Sequence, residues 1–103
     1  MKTSAQVARR KADADAILEK LSRLRILTWR YKHEPAHIRH LGPIAEEFAE
    51  AFQVGGSNRV IALDDALGVA YASIQALDAR IAERKQELAE LRRQVARLAR
   101  ARK

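Results

Sequence analysis

The feature of this 103-residue chain that most constrains its fold is a regular spacing of apolar residues in its C-terminal third. Large apolar side chains recur at alternating intervals of three and four residues, and no glycine or proline follows Gly68. This spacing puts them on one side of an α-helix and is typical of a left-handed coiled coil. Heptad position a falls on Leu67, Ile74, Ile81, Leu88 and Val95, and position d on Ala70, Leu77, Arg84, Leu91 and Leu98.

A helix that carries this repeat needs a partner. From about Asp65 to the end of the chain it would be on the order of 55 Å long, which a small head cannot cover. We therefore expect a parallel coiled coil. Glu87 at g and Arg92 at the following e can pair between parallel chains, whereas Arg84 at d costs stability and either fixes the register or marks a local opening. Isoleucine and valine at a with leucine at d, taken alone, favour a dimer.

The first third of the chain predicts a short helix and then a strand. Residues from Ala12 to Leu24 carry apolar side chains at helical spacing. From Ile26 to Lys32 the pattern alternates instead, with Leu27, Trp29 and Tyr31 on one face, which indicates a strand with one buried face.

The middle of the chain predicts a connection, a helix, a turn and a second strand. Residues 33–40 form a polar connection, and Pro43 occupies the expected first position of a helix. A turn at residues 55–58 then leads to a short β-branched strand from Arg59 to Leu63. Asp64 and Asp65 are the N-cap candidates for the long helix. The predicted fold class is α+β, with a head domain over residues 1–66 and a continuous coiled-coil helix over residues 67–103.

The net charge of +7 raises the alternative of nucleic-acid binding. Six basic residues and no acidic one lie between Arg92 and Lys103. Cations at a helix C-terminus complement its dipole, so we favour a solvated helix end, and nucleic acid is not expected as a partner. The competing hypothesis is a nucleic-acid-binding coiled coil. It would use Arg92, Arg93, Arg97, Arg100 and Arg102.

Neither a metal, a cofactor nor a membrane is expected. The chain has no cysteine, and no apolar run approaches the ~20 residues that cross a bilayer. His33, His37 and His40 would suit zinc only on a helix, and Pro35 argues against one. No clear carboxylate partner is expected in this segment, and His40 is expected to pack at the start of the Pro43 helix.

Three motifs in order give the chain a family resemblance. Trp29, Tyr31 and Lys32 form a Trp-x-Tyr-Lys pattern. A His-x-Gly-Pro-hydrophobic-Ala-Glu-Glu-Phe motif runs from His40 to Phe48, and an Asp-Ala-x-Gly-Val-Ala element opens the long helix at Asp65. In these motifs the chain resembles the C-terminal intramolecular chaperone domain of phage tail spikes and tail fibres, also called the peptidase S74 or endosialidase-type auto-processing domain. The matched family residues are Trp29, Tyr31, His40, Gly42, Pro43, Asp65 and Gly68.

The resemblance implies that the chain assembles another protein. Members of the family trimerise and promote folding of the fibre or spike domain that lies upstream in the same polypeptide. A homotrimer is therefore expected in place of the dimer that the heptads alone favour. The resemblance also implies a virion tail precursor, assembled in the host cytoplasm.

The self-cleaving dyad of the family is not recognisable here. It consists of a serine and a lysine five residues later, in a Ser-Asp-x-x-x-Lys arrangement. Five residues after Ser4 stands Arg9, which stays protonated and cannot act as a base. Ser4 and Lys11 are the nearest candidates, but they are seven residues apart. We predict no peptidase activity. Either the chain begins at or after the cleavage point, or the dyad has been replaced, or this is a non-cleaving relative.

Overall fold

The protein is a small head mounted on one long helix, as seen in a computed structural model that describes residues 3–102, apart from the side chain of Ser4. After a 3-10 turn at Ser4–Gln6, the elements are two helices and two strands, followed by the long helix. The molecule measures 73 × 44 × 21 Å. The elements are α1 (Ala14–Arg23), β1 (Leu27–Trp29), β2 (His40–Gly42), α2 (Ala45–Phe52) and α3 (Leu63–Ala101). This confirms the expected head with short strands and helices, and the long C-terminal helix.

Helix α1 forms where the apolar periodicity predicts it. The carboxylate of Asp13 caps its start by accepting a hydrogen bond from the backbone N–H of Ala16 at 3.1 Å. Its apolar side faces α3, and Leu18 is buried there. Two acids on α1 reach across to α3, because Glu19 lies 2.8 Å and Asp15 lies 3.8 Å from the guanidinium of Arg80.

Strands β1 and β2 form a two-stranded antiparallel sheet, the only sheet within residues 3–102. Thr28 pairs with Leu41, and Trp29 pairs with His40. The predicted first strand is therefore confirmed in its central part, but Tyr31 lies beyond its end and is half exposed. Strand β2 was not predicted, since the polar connection was expected to extend through His40.

Helix α2 begins later than predicted. Gly42 still pairs with Leu27 in the sheet and has a φ of +152°, so the chain remains extended there. Ile44 is the N-cap and Ala45 the first helical residue, which makes the prediction of Pro43 at the first helical position wrong by two residues. Phe48 anchors α2 in the core with only 5% of its surface exposed.

The segment between α2 and α3 is irregular, so the predicted second strand from Arg59 to Leu63 is wrong. No strand lies beside it within the described residues, and Val60 is 65% exposed. The predicted turn is present, with Gly55 at a φ of +83°. The N-cap of α3 is Ala62, without a side-chain hydrogen bond. The two predicted caps, Asp64 and Asp65, instead lie inside the first turn, where the helix dipole favours acids.

The core lies where α1 and α2 meet the first half of α3. Helices α1 and α3 are antiparallel. Arg80 of α3 contacts acids of α1, whereas Leu24 at the end of α1 lines the same groove as Ala66 near the start of α3. Beyond about residue 80, α3 extends away from the head. Its 39 residues correspond to about 58 Å of helix. Within residues 3–102, no helix is long and apolar enough to span a membrane. The buried core residues are Leu18, Phe48, Val69, Ser73 and Ala76.

Candidate assembly surface

The apolar stripe of α3 is exposed to solvent over its whole length. In this single chain, the exposed fraction of its large side chains ranges from 41% at Leu67 to 66% at Leu98. From the first to the last of these residues the stripe covers about 47 Å of helix. Exposed apolar patches of this extent mark interaction surfaces. The stripe consists of Leu67, Ile74, Leu77, Ile81, Leu88, Leu91, Val95 and Leu98.

The head leaves the large side chains of this stripe exposed, because it packs mainly on a neighbouring face of α3, although the predicted core position Ala70 lines a groove of the head. Val69 and Ala76, at heptad position c, and Ser73, at position g, are the buried residues of the helix. Arg80, also at g, makes the ion pairs to α1. The helix therefore has two apolar faces. The face around positions c and g packs against its own head, and the face that carries the stripe is uncovered.

The surface of the isolated chain is large for its mass. The chain exposes 9151 Å², whereas a compact monomer of 11.6 kDa exposes about 5,800 Å². The excess reflects the elongated shape, in which α3 extends beyond the head with its stripe exposed.

Arg84 is the polar interruption of the stripe. Its guanidinium donates a hydrogen bond to the carboxylate of Glu87 at 3.0 Å, one turn along the same helix. Glu87 is the residue that was expected to reach Arg92 of a neighbouring chain. In the isolated chain it neutralises Arg84 instead, which lowers the cost of a cation at a core position. The pairing between chains stays a prediction.

The basic end of α3 is partly neutralised by one acid. Glu90 lies 2.6 Å from Arg93 and 3.9 Å from Arg97, both on the same helix. Two of the five arginines in the nucleic-acid hypothesis are therefore engaged locally. That hypothesis stays a prediction.

An aromatic cluster includes Trp29 and His40 on the half-buried side of the sheet. The ring of Trp29 lies 4.7 Å from that of His40 and 5.2 Å from that of Tyr31, measured between centroids. Tyr31 in turn stacks on His33 at 5.4 Å. Three of the predicted family residues are thus brought together, and the unpredicted strand β2 is what places His40 there.

Glu34 holds this cluster in place, and sequence reasoning missed it. Its carboxylate accepts a hydrogen bond from the backbone N–H of Tyr31 at 2.8 Å and lies 2.9 Å from Nε2 of His40. The first of these contacts, above all, lowers the pKa of Glu34, and the neighbouring histidines His40 and His33 lower it further. The expectation that this segment offers no carboxylate partner for its histidines is wrong. No pattern in the sequence links Glu34 to His40, which lies six positions later.

The other predicted family residues are dispersed. Gly42 ends β2, and Pro43 follows it and lines two grooves of the head. Asp65 lies in the first turn of α3 beside Gly55, and Gly68 lies on the helix with open space around it. Within residues 3–102, no group of three histidine or acidic side chains is placed to hold a metal ion.

The predicted catalytic candidates form no site in the described part of the chain. The side chain of Ser4 lies outside the described residues, and Lys11 is exposed in the irregular segment before α1. The absence of peptidase activity stays a prediction.

One further contact that sequence reasoning missed joins α1 to α2. The guanidinium of Arg25, just after α1, donates to both carboxylate oxygens of Glu47 at 3.0 and 3.1 Å. A bidentate pair of this kind fixes geometry as well as charge. It raises the pKa of Arg25 and lowers that of Glu47. No sequence signal connects two residues 22 positions apart.

The fold defines a class of protein: a small α+β head joined to a long helix whose apolar face is uncovered. Comparison with family models gives a match for the head: residues 8–56 match the peptidase S74 family, described as the chaperone of endosialidase. The resemblance inferred from the motifs is therefore confirmed over this segment, which includes α1, both strands and α2. The match ends before α3. No curated protein and no solved structure matches the chain.

Proposed function

We propose that this chain is an intramolecular chaperone that trimerises through α3 and so promotes folding of a phage tail fibre or tail spike domain upstream in the same polypeptide. The proposal includes assembly in the host cytoplasm as part of a virion tail precursor. The family match of the head supports the chaperone role. It leaves the assembly role of α3 to be argued from the helix itself.

The observation that carries the proposal is the exposed stripe from Leu67 to Leu98, on a face of α3 that the head leaves free. A second copy of the same helix offers the same stripe, so knobs-into-holes packing buries both. We propose three copies, because members of the family that the chain resembles are trimers.

The mechanism is one of effective concentration. Three associated helices hold the three upstream strands next to one another, so that pairing between them becomes intramolecular. Intertwined β-fibres fold slowly, because distant contacts must close before any of them stabilises the structure. A trimeric seam shortens this search and sets a common register.

The functional test joins the chain to an upstream β-fibre segment and compares two matched variants. The double variant Leu88→Asp, Leu91→Asp, which we call the seam variant, places two charges in the stripe. Ala89→Asp places one charge at heptad position b, outside the stripe. We expect the double variant to lose most of the soluble, trimeric fibre, and Ala89→Asp to retain it. Equal recovery of trimeric fibre from all three would refute the role of the seam in assembly.

Self-cleavage is part of the family mechanism, but this chain lacks the recognisable dyad. We propose that these residues do not cleave themselves. The same fibre fusion tests this on a denaturing gel, where an intact fusion is expected after prolonged incubation. Release of a fragment of about the size of this chain, lost on Ser4→Ala, would contradict the proposal.

A further inference from the structure

The head carries a groove of about 440 Å³ that the fold leaves open. Trp29 and Tyr31 of the aromatic cluster line it. Val60 and Ile61, in the irregular segment before α3, and the start of α2 line it as well. The groove therefore lies next to the beginning of α3.

The lining of this groove is incomplete in a single chain. Tyr31 and Val60 both line the groove, yet each leaves half or more of its surface exposed. Exposed aromatic and aliphatic side chains around an open groove are typical of a surface that another polypeptide covers.

The groove is continuous with the stripe on α3. Leu63 precedes Leu67 by four residues and is 74% exposed, and Val60 precedes Leu63 by three. The heptad spacing therefore continues from Leu67 toward the N-terminus and reaches Val60, which lines the groove. A copy that packs along the stripe must reach this part of the head.

The charges on the groove also fit a copy of the same chain. Glu46 and Arg59 both line it and carry opposite signs. A neighbouring head presents the same two charges, so each sign can meet its opposite across an interface between copies.

We propose that the head of a neighbouring copy occupies this groove and covers the exposed side chains of Tyr31 and Val60. This rests on the proposed assembly through α3 and extends the interface from the helix into the head. The heads are then held in a fixed arrangement by direct contact, and not only through the associated helices.

Trp29 is the only tryptophan of the chain, so its fluorescence reports on the groove alone. We would measure acrylamide quenching and the emission maximum of the wild-type chain and of the Leu88→Asp, Leu91→Asp variant, together with the mass of each by light scattering. In the wild-type oligomer we expect at least a twofold lower quenching constant, and a shift of emission to shorter wavelength, relative to the seam variant.

A second pair of variants separates the groove from the seam. Val60→Asp changes the lining of the groove, and Asn58→Asp makes the same charge change at an exposed position two residues away. We expect Val60→Asp to remain oligomeric while its Trp29 becomes as accessible as in the seam variant, and Asn58→Asp to behave as the wild type.

Three results would overturn the proposal, and they are distinguishable. An oligomer in which Trp29 is as accessible as in the seam variant refutes the groove contact but leaves the seam intact. A wild-type chain that is monomeric at all concentrations refutes both. Protection of Trp29 that appears only when an upstream fibre is attached assigns the groove to the fibre and not to a neighbouring head.

Discussion

Glu34 is the residue on which the loop between the two strands most depends. Its carboxylate meets the backbone N–H of Tyr31 on one side and the ring of His40 on the other, and so ties the beginning of the loop to β2. Arg30 also stabilises this loop, since its guanidinium donates hydrogen bonds to the carbonyl oxygens of Tyr31 and Glu34. A ten-residue connection without regular structure thereby holds an aromatic cluster in a fixed position.

We predict that Glu34→Gln lowers the melting temperature of the chain at neutral pH and that the difference from the wild type disappears in acid. The pKa of Glu34 is lowered in the folded state, so its contribution is present above the usual glutamate pKa of about 4.3 and is lost as the pH falls through the lowered value. Thermal denaturation from pH 7 to pH 3 measures this. Glu50→Gln, at an exposed position on α2, is the control, and an equal loss for both variants would contradict the account.

At the scale of the elements, Gly55 in the turn before α3 and Gly68 within α3 have opposite requirements. Gly55 has a φ of +83°, and a Cβ added there would lie 2.9 Å from a carboxylate oxygen of Asp65. Gly68 lies within the helix, and a Cβ added there meets nothing within 4 Å. The first glycine is required by the turn, whereas the second only weakens the helix.

We predict that Gly68→Ala stabilises the chain by about 1 kcal/mol, because alanine is the better helix former. Gly55→Ala should destabilise it, since alanine at that φ is strained and also crowds Asp65. Urea denaturation of both variants tests the pair. Gly68 falls at heptad position b, so the oligomer should be unaffected by its substitution. Weaker association of Gly68→Ala would instead mean that a neighbouring helix approaches closely at that point.

The sequence predicted best the element in which one apolar repeat extends over many residues. The long helix was expected from about Asp65 and begins at Leu63, because dozens of residues repeat one pattern. The short elements depended on partners distant in sequence. β2 has three residues and exists because it pairs with β1, whereas Val60 and Ile61 have the composition of a strand but no strand beside them. For the same reason Glu34 was missed, since its role appears only when β2 brings His40 back to it.

At the scale of the whole molecule, the direction of the helices has an electrostatic consequence. In a parallel oligomer the arginines from Arg92 to Arg102 of every copy come together at one end, where Glu90 alone opposes them on each helix. An antiparallel arrangement would instead place this end beside the more acidic part of α3. The two arrangements therefore respond to salt with opposite sign.

We predict that association becomes stronger as sodium chloride is raised from about 50 mM to about 500 mM, because salt screens the repulsion between the arginine clusters. Sedimentation equilibrium at several salt concentrations measures the dissociation constant. The double variant Arg100→Gln, Arg102→Gln should flatten the dependence. Association that weakens with salt in the wild type would contradict the parallel arrangement.

The most direct test of the account is the mass of the chain in solution, measured by sedimentation equilibrium over a wide range of concentration. Assembly through the stripe predicts a species of three times 11.6 kDa for the wild type and for Ala89→Asp, and 11.6 kDa for the Leu88→Asp, Leu91→Asp variant. A wild-type chain that sediments as a monomer at every concentration, or a seam variant that remains trimeric, would contradict the central claim that α3 is the assembly element.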